Sequence, residues 1–154
     1  MTATNAVRAN HPWLKVTAYV ALMRRRKRLS DEERLVGGLL AAGRIAIGAG
    51  IWAAPGLTAK ALGMKPFDSE ALALARLAAT RDVILGAWLG TELRDGGEPL
   101  APAIALTACD AGDALAFALL AARGGDDLQA GARGVAAAGP ATAIGAWLVS
   151  RIRG

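Results

Sequence analysis

Four long apolar stretches follow one another along the chain, separated by short segments rich in glycine, proline and charged residues. They cover about residues 35–55, 70–90, 100–122 and 131–150. Each is about 20 residues long, which as a helix is enough to cross a bilayer hydrocarbon core of about 30 Å. None shows the continuous polar face that a helix on a water-soluble surface needs. The pattern predicts an all-α fold, a four-helix transmembrane bundle.

The segments between the stretches contain the residues that begin and end helices. Ser30-Asp31-Glu32-Glu33 matches a capping box, in which Ser30 and Glu33 each accept a hydrogen bond from the other's backbone N–H. Residues 57–69 are expected to form a loop or a short interfacial helix. Turn residues at 94–99 and 123–127 separate the later stretches. Because these two connections are short, the helices that they join should be antiparallel neighbours.

Residues 1–29 form a basic segment ahead of the predicted four-helix domain at residues 30–154. Apolar residues recur at three- and four-residue spacing between Trp13 and Met23, which predicts an amphipathic helix lying in the membrane interface. A solvated linker is the alternative, because the apolar face is short. Five consecutive cations follow and are expected to contact anionic lipid headgroups: Arg24, Arg25, Arg26, Lys27 and Arg28.

Composition also favours a membrane-embedded chain. Hydrophobic residues make up 54% of the sequence and charged residues 20%, whereas soluble domains carry about 25% charged residues. A net charge of +5 would suit nucleic acid, but the basic run directly precedes an apolar stretch, a placement that favours lipid headgroups. No nucleic-acid partner is therefore expected. A water-soluble, alanine-rich helical bundle is the alternative, because three of the four stretches contain internal charges.

The distribution of lysine and arginine predicts the orientation in the membrane. Eight of the 18 cationic residues lie within the first 34 residues. In a four-span bundle, three later arginines would lie on that same side: Arg94, Arg151 and Arg153. The opposite side would hold Lys60, Lys65, Arg123 and Arg133. Because the cytoplasmic side of a membrane protein carries the excess of cations, both termini are expected in the cytoplasm of a bacterium, with the bundle in its plasma membrane.

Six charged residues lie inside the predicted spans and form the candidate polar cluster: Arg44, Arg76, Arg81, Asp82, Asp110 and Asp113. A charge at the centre of a membrane helix costs about 2.5–3.5 kcal/mol even on insertion scales. All of these residues except Arg76 are expected at nearly one depth, so we expect them to face each other. Three positive and three negative charges balance, which predicts a neutral structural network linking the first three spans. A polar pocket for an ion, a proton or an anionic headgroup is the alternative.

The inventory of reactive side chains argues against several kinds of site. A single cysteine, Cys109, excludes an internal disulfide and a cysteine-based zinc or iron–sulfur site. The only histidine, His11, lies in the basic segment, far from the predicted spans. Asp110 and Asp113 resemble a magnesium-binding pair, but nearby arginines disfavour a cation there. No catalytic residue, metal site or cofactor is therefore expected.

Several of these positions together resemble a known family. The pattern runs from Arg44-x-x-x-Gly48 through Arg81-Asp82-x-x-Leu85-Gly86 to Asp110-x-x-Asp113-Ala-Leu. It resembles the small DoxX-like four-helix bacterial membrane proteins of unknown function, over about residues 35–150. The resemblance implies a four-helix membrane fold and little chemistry. The chain departs from the family in having no histidine near the last helix.

Three functions are compatible with these features. The first is a non-catalytic subunit or accessory protein, assembled with itself as a homo-oligomer or with a larger membrane-protein complex. The second is a component of a transporter or channel that uses the Arg/Asp cluster. The third, a lipid-modifying enzyme, has the least support, because no nucleophile motif accompanies the carboxylates.

Overall fold

The computed structural model describes residues 29–154; the basic segment and the lipid contact predicted for Arg24–Arg28 lie outside the described residues. The described chain is all-helical, which confirms the predicted class, and contains five helices. They are α1 (Asp31–Ala53), α2 (Pro55–Ala61), α3 (Ser69–Asp95), α4 (Leu100–Ala121) and α5 (Asp126–Arg153). The four long helices coincide with the four predicted stretches.

Three of these helices are long and apolar enough to cross a membrane: α1, α4 and residues Asp127–Arg153 of α5. The predicted second span, α3, is not among them. Its middle turns carry Arg76, Arg81 and Asp82, and this charge density distinguishes it from the other long helices. Composition alone therefore supports three membrane-spanning helices in the described chain, where the sequence pattern predicts four.

The helix ends follow from local side-chain chemistry. The capping box is confirmed, since Glu33 N–H donates to Ser30 Oγ at 3.2 Å and Ser30 N–H donates to Glu33 Oε2 at 2.8 Å. α1 ends just before Pro55, which occupies the first position of α2, where its missing N–H costs no hydrogen bond. α3 ends at Gly96, whose φ of 68° is the left-handed conformation that glycine adopts readily.

Two antiparallel helix pairs make up the bundle. In the first, α1 packs along α3 at close range: Gly48 lies against the Ala79 carbonyl, and Gly86 lies against the Ala41 carbonyl. In the second, α4 packs along α5, where Gly145 lies against Thr107. Small residues permit such a close approach of helix backbones. Gly48 and Gly86 therefore allow the close contact between α1 and α3.

The apolar core lies between the two pairs, towards the end where α1 begins. It is formed by Ala41, Leu89, Leu93, Ala103, Leu106 and Leu148. At this end Glu33 of α1 pairs with Arg151 of α5, with 3.5 Å between Oε1 and Nε. At the opposite end Arg133 of α5 donates a 2.6 Å hydrogen bond to the Gly63 carbonyl, which precedes α3. The long helices therefore alternate in direction, as predicted.

Candidate functional site

Five charged residues meet halfway along the bundle. Arg44 is residue 14 of the 23 in α1, and Asp82 is residue 14 of the 27 in α3. Asp110 is residue 11 of the 22 in α4. Arg81 precedes Asp82, and Asp113 follows Asp110 by almost one turn. All five side chains therefore start from the middle of their helices, and we call the group the central network.

Salt bridges connect the central network into a continuous chain. At one end the Asp110 carboxylate contacts Arg44 Nη2. Arg44 Nη1 donates to Asp82 Oδ2 at 3.0 Å. On its other oxygen Asp82 accepts from Arg81, whose Nη2 lies 3.1 Å away. Arg81 then binds Asp113 with both terminal nitrogens, at 3.2 and 2.7 Å. The order is Asp110–Arg44–Asp82–Arg81–Asp113, and it joins α1 and α3 to α4.

The two ends of this chain of salt bridges differ in exposure. The Asp110 side chain is 0% exposed, and the side chains of Arg44 and Asp82 are also largely enclosed. Arg81 and Asp113 are each 33% exposed. Arg44 is the only polar contact of Asp110 within the described chain. The network therefore has an enclosed end at Asp110 and an accessible end at Arg81 and Asp113.

Arg76, the sixth residue of the predicted cluster, lies outside the central network. Its guanidinium stacks on the Trp52 ring, with 5.2 Å from Cζ to the ring centroid, and it forms no salt bridge within residues 29–154. Trp52 in turn donates from Nε1 to Thr80 Oγ1 at 3.2 Å. At 100° per residue, Arg76 and Arg81 lie about 140° apart around α3, so the two arginines cannot reach the same neighbours.

The charge balance of the network consequently differs from the prediction. Without Arg76, the connected group contains two guanidiniums and three carboxylates, a formal charge of −1. The predicted neutral set of three cations and three anions does not exist as one bonded group. The sequence could have revealed this difference, because helical geometry alone separates Arg76 from Arg81.

Other ion pairs of the described chain lie at the helix ends. Arg94 and Asp95, which end α3, pair with 2.8 Å between Nε and Oδ1, and both are well exposed. The hydrogen bond from Arg94 lowers the pKa of the Asp95 carboxyl, and the same bond raises the pKa of Arg94. These groups lie at the predicted membrane boundary, away from the central network.

The described residues contain no group of three or more histidine, cysteine or acidic side chains placed to hold a metal ion. Cys109 is a free, half-buried thiol next to Asp110. An apolar groove of about 630 Å³, which was not predicted from the sequence, lies between α1 and α5. It is lined by Glu32, Val36, Leu39, Leu40, Ala143, Ile144 and Trp147. No periodicity within one helix reveals such a groove, because two helices distant in sequence form it.

Comparison with known protein families, with curated proteins and with solved structures finds no match to this chain. The resemblance to DoxX-like proteins rests on the motif residues alone. Five of those residues contact one another in the central network: Arg44, Arg81, Asp82, Asp110 and Asp113. The site must therefore be interpreted from its own geometry.

Proposed function

We propose that this chain is an integral protein of a bacterial plasma membrane that crosses the bilayer four times. In this proposal it is a non-catalytic subunit or accessory protein of a membrane assembly, related to the DoxX-like proteins. The observation that carries the proposal is the contrast between the middle and the exterior of the bundle. Charged side chains bind one another in the middle, while large apolar side chains cover the outside.

The exterior of α3 supports its inclusion as a fourth span. Leu74, Leu77, Ile84 and Trp88 are all exposed on it, three of them by 60% or more. In water such a surface would be unfavourable, whereas in lipid it is the expected one. At 27 residues, α3 is about 40 Å long at 1.5 Å per residue. Its central charges are engaged by salt bridges or by Trp52, which reduces the cost of burying them in lipid.

The helix directions support cytoplasmic termini. The end of the bundle where α1 begins carries Arg94, Arg151 and Arg153, and the basic segment enters there. At the opposite end the cations are fewer: Lys60, Lys65, Arg123 and Arg133. The cation-rich end of a membrane protein faces the cytoplasm.

An accessory role agrees with how the central network uses its charges. Each carboxylate of the network contacts an arginine of the same chain, an arrangement that fixes helix positions. Meanwhile, the apolar groove between α1 and α5 is open to lipid or to another helix. We propose that this outer surface contacts a second copy or a larger membrane protein.

Cysteine accessibility tests the four-span proposal. In a Cys109→Ala background, single cysteines at Lys65 and Glu98 bracket α3. If α3 crosses the membrane, a membrane-impermeant maleimide added to intact spheroplasts labels Lys65→Cys and leaves Glu98→Cys unlabelled until the cells are lysed. Equal labelling of both sites before lysis would contradict a crossing by α3. Recovery of the unmodified chain in the aqueous fraction would contradict membrane insertion altogether.

Native mass spectrometry of the gently extracted protein tests the accessory role. The expected result is a defined stoichiometry with itself or with a larger membrane protein. A monomer without a protein partner, in mild detergent and in nanodiscs alike, would contradict it.

One observation favours a transporter or channel component as the second candidate. The accessible end of the central network, Arg81 and Asp113, places exposed charges at mid-membrane depth, where ionisable groups commonly mark pathways for ions or protons.

A further inference from the structure

We propose that the central network is a proton-binding site that holds one proton at neutral pH. The inference rests on the proposed membrane location, because the cost of an unbalanced charge depends on the surrounding lipid. It goes beyond the proposed accessory role, since it assigns a ligand to the network.

The central network contains more negative than positive side chains. Facing the network, α1 contributes Arg44, while α3 contributes Arg81 and Asp82. From α4 come Asp110 and Asp113, and Cys109 precedes Asp110 in the chain. α5 has no ionisable side chain between Arg133 and Arg151. Three carboxylates thus share two guanidiniums.

Arg76 is the nearest candidate for a third cation. It lies six residues before Asp82 on α3, which corresponds to about 9 Å along the helix axis. Its guanidinium is directed to the Trp52 ring. A cation at that separation reduces the potential at the network, but it donates no hydrogen bond there, so the third carboxylate lacks a full charge partner.

A carboxylate without a charge partner in a medium of low dielectric, such as lipid, is neutralised by taking up a proton. Because the five side chains are linked in series by salt bridges, the proton belongs to the network as a whole and not to a single residue. Protonation would bring the formal charge of the network from −1 to 0.

Exposure indicates how the proton would enter. Asp110 is fully enclosed, whereas Arg81 and Asp113 are 33% exposed. In this proposal the proton exchanges at the Asp113 end, which the described chain leaves uncovered. One accessible end and one enclosed end suit a site that binds and releases a proton from a single direction.

Infrared spectroscopy of the full-length protein in nanodiscs at pH 7 tests the proposal, because a protonated carboxyl has a C=O band distinct from that of a carboxylate. The expected number of network protons follows from the charge count. It is one in the wild type, none in Asp113→Asn, and two in Arg81→Gln. Arg76→Gln is the matched control on the same helix and should retain one.

Each result supports or overturns the proposal. A carboxyl band in the wild type that Asp113→Asn removes supports it. A band that persists unchanged in this variant overturns it, because the protonated carboxyl then lies outside the network, as buried Glu33 does. Absence of the band in the wild type overturns it. If Arg76 neutralises the network at a distance, the band is absent in the wild type and arises in Arg76→Gln, which overturns it too. Because the samples contain protein already purified from membranes, a negative result leaves the membrane location intact.

Discussion

Helix α3 contains the dipeptide Arg-Asp twice, at Arg81-Asp82 and at Arg94-Asp95, and the two copies differ in everything except their local pairing. In both, the arginine binds the adjacent aspartate, with 3.1 Å in the first and 2.8 Å in the second. The second pair is open to solvent, with side chains 75% and 60% exposed. In the first pair the side chains are 33% and 10% exposed, and its salt bridges continue to Arg44 of α1 and Asp113 of α4.

The two pairs show that burial and further partners determine what an ion pair contributes to stability. An exposed pair gains little, since water screens it and ordering the side chains costs entropy. A buried pair contributes little net free energy relative to an apolar pair, yet removing one partner leaves an uncompensated charge. The four predictions below test this difference between a partly buried and an exposed ion pair, from the largest expected effect on stability to the smallest.

Replacing Arg44 by glutamine should have the largest effect. Asp110 would lose its only polar contact among residues 29–154, and Asp82 would lose one of two arginines. Breaking a buried pair in this way costs about 3–5 kcal/mol. We expect a lower free energy of unfolding in detergent, measured by denaturant titration with a helix-sensitive signal. Arg94→Gln, which removes an exposed arginine, is the matched control. Equal stability of the two variants would contradict an enclosed network.

Replacing Arg81 by glutamine should have a smaller effect, because the side chain is partly exposed. An exposed pair contributes about 0.2–1 kcal/mol, and we expect a loss at or above the upper end of that range. Arg81→Gln should cost more than Asp113→Asn, since it removes a cation from a network that already has excess negative charge. The double variant should recover part of the loss. Strict additivity of the two changes would show that Arg81 and Asp113 do not interact.

Much of the helical fold was predictable from the sequence. The apolar stretches predicted the four long helices, and the capping box at Ser30 and Glu33 located the start of α1. These features depend on residues close together in the chain. The gathering of Arg44, Arg81, Asp82, Asp110 and Asp113 was also expected, because mid-membrane charges must find partners.

The position of Arg76 and the groove between α1 and α5 were not predicted. Counting every charge inside the predicted spans placed Arg76 in the cluster, although its direction on α3 leads to Trp52; the 100° spacing of residues along one helix already separates it from Arg81. The groove between α1 and α5 requires two helices far apart in the chain. It follows from how the helices pack, which one helix's periodicity does not specify.

Replacing Arg76 by glutamine should have a modest effect, although this arginine lies on the same helix as Arg81. Its partner is an aromatic ring, and a cation–π contact contributes about 0.5–1 kcal/mol at an exposed site. Trp52→Leu should cost a similar amount, and the double variant should cost less than the sum. Thermal unfolding of the wild type, the two single variants and the double variant in one detergent measures these losses of stability. A loss of stability as large as that of Arg44→Gln would mean that Arg76 acts as part of the central network.

The smallest effect is expected at the second Arg-Asp copy, where Arg94→Gln should raise the pKa of Asp95 and lower stability at neutral pH only slightly. The hydrogen bond from Arg94 lowers the pKa of Asp95, so this pair stabilises the fold above the pKa that Asp95 has in the unfolded chain. The contribution is lost as pH falls through the lower, folded-state value. Carbon-detected NMR titration of Asp95 should show its midpoint rising towards that of a free aspartate, about 3.9, in Arg94→Gln. Because the pair is fully solvated, the loss of stability in Arg94→Gln at pH 7 should be the smallest of the four. A loss as large as that of Arg81→Gln would mean that this end of α3 is enclosed in its native setting, by lipid headgroups or by a partner chain, and would remove the contrast between the two copies.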